Sequence, residues 1–122
     1  MKEVFRIIVL TAVFIITSAF TSSKLSPIDG QWSGEFKGNA GTLPFQTRFW
    51  TENGEIKGTI DFPSVKIYRK EISWILIETD IVHFEVPNDS EVLVFEGILT
   101  DNKLIGEFKA KTDRGTFNLI RP

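Results

Sequence analysis

The sequence predicts an all-β fold, a small antiparallel up-and-down β-barrel, and three observations carry that prediction. Apolar side chains recur at every second position through most of the chain after residue 29, the period of strands with one buried face. Turn signals separate these runs at short intervals, at Gly38-Asn39-Ala40-Gly41, Asn53-Gly54, Pro87-Asn88-Asp89, Asp101-Asn102 and Asp113-Arg114-Gly115. No window after the leader has the apolar period of an amphipathic helix. About eight strands with short connections make chain neighbours antiparallel partners. Such a meander hides its edges by closing into a barrel. A two-sheet β-sandwich is the alternative, but its Greek-key crossings need longer connections.

The chain opens with Lys2 and Arg6, then an apolar run from Ile7 to Ile16 broken only by Thr11, then small residues. This is the pattern of a secretory signal peptide, with cleavage expected after Ala19 or, alternatively, after Ser23. The apolar run is short for a membrane span, so no span is expected once the leader is removed. No cysteine is present, which excludes a lipid-anchored N-terminus, a disulfide framework and a thiol nucleophile. The expected organisation is a leader over 1–19, a linker over 20–29 and one β domain over 30–122, exported to a periplasmic or secreted location.

The first strand is Gly30-Gln31-Trp32-Ser33-Gly34-Glu35-Phe36, where Gly30, Trp32, Gly34 and Phe36 share a face and the residues between them face water. Leu43 to Thr51 alternates next, with Leu43, Phe45, Thr47 and Phe49 inward and Gln46, Arg48 and Trp50 outward. Asn53-Gly54 supplies the positive φ angles of a tight hairpin. Ile56, Gly58, Ile60 and Phe62 form the third inward face, which Pro63 ends because it cannot donate to a ladder. Val65 to Tyr68 reads as a short extended piece, and Glu71 to Ile77 is apolar on both faces. Val82, Phe84 and Val86 follow, then Leu93, Phe95, Gly97 and Leu99, then Leu104, Gly106 and Phe108, and finally Phe117, Leu119 and Arg121.

Every Phe after Phe20 falls on the inward parity, beside Gly34, Gly58, Gly97 and Gly106. Large rings alternating with glycines suit a narrow, tightly coiled barrel with a filled interior. The alternative is a barrel with room for a small apolar ligand, faced by Trp32, Phe36, Phe45, Phe84, Phe95, Phe108 and Arg121.

Two resemblances follow from these residues. Gly30-Gln31-Trp32 resembles the Gly-x-Trp strand that opens lipocalin and wider calycin barrels, in which a basic side chain from the last strand crosses the Trp. That resemblance implies that Arg121 stacks on Trp32, a contact of roughly 0.5–2 kcal/mol joining the two chain ends. The second spans most of the chain after the leader. Trp32-Ser33-Gly34, Gly58-Thr59-Ile60-Asp61-Phe62-Pro63, Val82-His83-Phe84-Glu85-Val86-Pro87, Phe95-Glu96-Gly97-Ile98-Leu99, Leu104-Ile105-Gly106-Glu107-Phe108 and Gly115-Thr116-Phe117-Asn118-Leu119-Ile120-Arg121 carry it. They are similar to a small exported bacterial β domain that precedes some secreted α/β-hydrolases of the serine aminopeptidase and esterase type. No Gly-x-Ser-x-Gly elbow is present, so the resemblance implies an accessory or free-standing β domain and no catalytic residues.

Catalytic chemistry finds little purchase elsewhere. His83 is the only histidine and lies on an outward parity, too isolated for a metal site or a Ser-His-Asp set. The acids Glu52, Glu55, Asp61 and Glu85 also read as solvated strand faces. A formal net charge of −2, made one unit more acidic by loss of Lys2, Glu3 and Arg6, gives no reason to expect nucleic acid or an anionic membrane. No enzyme activity, cofactor or metal is expected. The outward parity of the second half, by contrast, carries Ile75, Ile77, Ile81, Val92, Val94, Ile98, Ile105 and Ile120. As one strip these would dock a partner protein, either a hydrolase or a second copy, with Trp50 and Tyr68 as further contacts. The function expected is therefore an exported, non-catalytic module that binds a partner protein or a small apolar ligand. The alternative is a structural accessory domain of a secreted hydrolase.

Overall fold

The computed structural model describes residues 26–122; the leader and residues 20–25 of the expected linker lie outside the described residues. The alternating segments form strands β1 (Gly30–Gly38), β2 (Gly41–Glu52), β3 (Glu55–Phe62), β4 (Ile67–Glu71), β5 (Trp74–Glu78), β6 (Ile81–Asn88), β7 (Glu91–Thr100), β8 (Lys103–Lys109) and β9 (Arg114–Ile120). All belong to one antiparallel nine-stranded sheet in the order β4-β3-β2-β1-β9-β8-β7-β6-β5. The fold is all-β and up-and-down: every two consecutive strands pair except β4 and β5, and β1 also pairs with β9. The sheet curls around one core in a barrel-like wrap whose ladder stays open between β4 and β5. Left-handed residues make several of the turns, with φ of 53° at Asn53, 57° at Thr79, 54° at Asp89 and 53° at Asp101.

The stretch with apolar residues on both faces turns out to be where the chain changes partner. After Phe62 a single 3-10 turn, Pro63–Val65, leads into β4, which pairs with the end of β3. The Ile72 N–H then donates to the Gly58 carbonyl (3.0 Å), and the next N–H, that of Ser73, donates to the Glu85 carbonyl (2.9 Å). The chain has crossed from β3 to β6, and β5 continues along β6. This crossing shifts the inward phase by one residue. Ile75 stands opposite Phe84 and Ile77 opposite Val82, so both pack against the core, and Trp74 and Leu76 face outward instead. The expected outward placement of Ile75 and Ile77 is therefore corrected.

Inside, Trp32, Phe45, Phe49, Phe84 and Phe95 are almost wholly buried, with Phe62, Phe108 and Phe117 beside them and Phe36 packed at the margin. Phe84 and Phe95 stack with centroids 4.8 Å apart, Phe45 stacks on Phe95 at 5.4 Å, and Phe36 meets Phe108 edge-on at 4.5 Å. Each such pair contributes about 0.5–1.5 kcal/mol beyond the area it buries. One polar atom lies among them: Thr47 Oγ1 is buried without a hydrogen-bond partner among the described residues.

Glycine makes the tight curl possible. A Cβ on Gly34 would lie 1.8 Å from the Asn118 carbonyl oxygen of β9, so β1 and β9 approach backbone to backbone there. Gly106 stands in the same relation to Glu96 across β7 and β8. Neither position has room for a side chain.

Candidate binding surfaces

Trp32 and Arg121 hold one end of the wrap shut. The Arg121 guanidinium carbon sits 4.5 Å from the centre of the Trp32 ring, the stack expected of these residues. Its Nη1 donates to the carbonyls of Pro27 (2.9 Å) and Asp29 (2.8 Å), and its Nε donates to Asn102 Oδ1 (3.0 Å). The Trp32 indole N–H donates to the Ile28 carbonyl (2.8 Å). The Asp29 carboxylate accepts from the hydroxyls of Ser26 and Thr51, tying the same turn to the end of β2. Gly30, at φ 125°, leaves room for the Arg121 chain, whose Cδ would stand 3.1 Å from a Cβ there. Ser26–Asp29, expected as linker, is thus a folded turn that buries Ile28 completely. Alternation could not show this, because a turn has no period.

The structure brings the interior candidates together as one aromatic cluster. Phe36, Phe45, Phe84, Phe95 and Phe108 touch one another directly or through a shared neighbour. Two large concavities open on the outside of the sheet, and of the interior set only Trp32 lines either of them. One is a groove across β1–β4, of about 780 Å³, lined by outward side chains such as Gln46, Arg48, Trp50 and Asp61. The other is a wedge of about 960 Å³ between β3 and β5, where Ile56, Ile75 and Ile77 show between two strand edges with no ladder between them.

The outward apolar residues resolve into separate groups. Ile81, Ile98 and Ile105 stand directly opposite one another on β6, β7 and β8. Ile120 and Leu76 extend the row diagonally, at two positions from the partners of Ile105 and Ile81. Ile98, Ile105 and Ile120 are 55%, 56% and 51% exposed. Val92 and Val94 lie beyond Glu96 on β7, opposite Pro87 and Glu85, and so sit apart from this row. Trp50 is on β2, in the polar groove, and Tyr68 is exposed on β4. The single strip expected from parity is therefore a shorter row, joined by Leu76.

His83 faces outward from β6, with Nε2 2.8 Å from Glu85, Nδ1 3.8 Å from Glu96 and the Trp74 ring edge-on at 5.1 Å. Among the described residues no cluster of His, Asp and Glu is arranged to hold a metal ion, and no helix is long and apolar enough to cross a membrane. No protein-family model matches the chain, and no curated protein matches it either.

Proposed function

We propose that this chain is an exported, non-catalytic β-barrel module that binds a partner protein through the outer face of β6–β9. The observation that carries the reading is the register of Ile81, Ile98 and Ile105, which sets three exposed isoleucines side by side on adjacent strands. β-Branched residues are common on strands, but a cross-strand row in direct register makes a continuous apolar surface. Covering a half-exposed isoleucine contributes on the order of 1 kcal/mol, so the row with Ile120 and Leu76 contributes several. The resemblance to β domains ahead of secreted hydrolases supplies one partner class, and a second copy is the other. The aromatic interior supports a core more than a ligand cup, since its rings fill one another's faces.

Native mass spectrometry of the mature protein from its own exported compartment tests the proposal, on the wild type and on an Ile98→Lys, Ile105→Lys double variant. The expected result is a complex or dimer for the wild type and a bare monomer for the variant. A bare monomer in both overturns protein docking. A small molecule retained at one per chain moves the reading to the interior.

A further inference from the structure

We propose that the groove on the outer face of β1–β4 binds an acidic saccharide, with Arg48 and Arg69 taking its carboxylates and Trp50 the apolar face of a sugar ring. This site lies on a different part of the sheet from the isoleucine row and does not depend on it. Strand register builds the groove. Gln31 of β1 stands opposite Arg48 of β2, Arg48 opposite Thr59 of β3, and Gln46 opposite Asp61. Facing positions on neighbouring strands are about 5 Å apart, so carboxamide, guanidinium and hydroxyl groups follow one another at close intervals. Trp50 lies one outward step further along β2 and is 36% exposed.

The charges point to an anion. Among the described residues neither Arg48 nor Arg69 has a carboxylate in salt-bridge reach; Lys57 pairs with Glu55, and Glu85 and Glu96 lie beside His83 instead. The acid nearest in register, Asp61, accepts a hydrogen bond from the Arg69 backbone N–H (2.6 Å), where β4 is bent at φ 52°. That bond occupies an Asp61 oxygen with the backbone and fixes where Arg69 leaves the strand. Two guanidinium groups with no carboxylate partner among the described residues thus line one groove of a chain with a formal charge of −2. Each presents a planar fork of donors that matches a carboxylate.

The remaining lining narrows the class. Carboxamides and hydroxyls outnumber the cations, which suits a ligand rich in hydroxyl groups more than one held by phosphate contacts alone. The Trp50 indole N–H donates to Glu52 Oε1 (3.5 Å), which leaves its flat apolar face as the surface it offers. The carbon face of a pyranose ring is the complement of that face.

Affinity electrophoresis and calorimetry with polygalacturonate, alginate and hyaluronan test the proposal, with fully methyl-esterified polygalacturonate as the uncharged control. We expect binding to at least one acidic polymer and at least tenfold weaker binding to the ester. Arg48→Gln and Trp50→Ala should each weaken binding at least tenfold. Lys109→Gln, on the outer face of β8, should leave it unchanged. Urea unfolding followed by far-ultraviolet circular dichroism checks that each variant keeps its fold. Absence of binding to all three polymers overturns the proposal, as does equal binding to the ester or undiminished binding by Arg48→Gln. Equal affinity for inorganic polyphosphate overturns the saccharide class.

Discussion

The sheet meets itself differently on its two sides. Where β1 meets β9 a ladder runs from Ser33 opposite Ile120 to Lys37 opposite Thr116, and the Arg121 latch closes the end of it. Where β4 and β5 come together no ladder forms; one residue, Ile72, bonds to β3 and the next, Ser73, bonds to β6. The first seam joins the two ends of the described chain, so it brings together strands far apart in sequence. The second joins strands that are adjacent in sequence. Sequence separation therefore does not decide which seam is tight. The closed seam has a glycine on β1 that lets backbones touch, and a side-chain latch that gathers loose carbonyls. At the open seam the chain hands its hydrogen bonds from β3 at Ile72 to β6 at Ser73, so β4 and β5 part with a wedge beside them.

The same substitution on both sides sharpens this contrast. Gly34→Ala places a methyl group against the Asn118 carbonyl, which can give way only if β1 and β9 separate. A loss of about 4 kcal/mol in urea unfolding is expected, at the upper end for single changes. Arg121→Ala comes next. It removes the stack on Trp32 and the donors to Pro27 and Asp29, and a loss of about 2 kcal/mol is expected after allowing for partial exposure. Arg121→Lys should recover only part of it, since an ammonium lacks the planar fork. Gly58→Ala, on β3 beside the open seam, should cost least. Its methyl would meet the Phe49 ring at 2.8 Å and Ile72 Cδ1 at 3.0 Å, side chains that shift more readily than backbone. A loss of about 1 kcal/mol is expected. A cost for Gly58→Ala equal to that of Gly34→Ala would mean that the two seams are equally rigid, and the contrast would fail.

The parts of the fold that were legible in sequence are those with a local cause. Alternation placed Trp32 and the phenylalanines after Phe20 inward, and each is buried or packed against the core. Asn53-Gly54 marked its hairpin because the turn needs positive φ there. The folded turn at Ser26–Asp29 was not legible, since its order comes from Arg121 and Thr51, distant in the chain. The inward placement of Ile75 and Ile77 escapes alternation for a related reason: the phase shift at Ile72–Ser73 follows from hydrogen bonds to two different strands.

The candidate surfaces divide in the same way. The sequence by itself determined which residues face outward from β2, β7 and β8, because a strand's two-residue period is a property of its own backbone. Only the tertiary structure decided which of them stand together. Strand register aligned Ile81, Ile98 and Ile105 into a row, set Val92 and Val94 apart, and placed Arg48 beside Gln31 and Thr59 in one groove. Parity is fixed within each strand, whereas register is fixed between strands by turns, glycine contacts and the closing of the sheet.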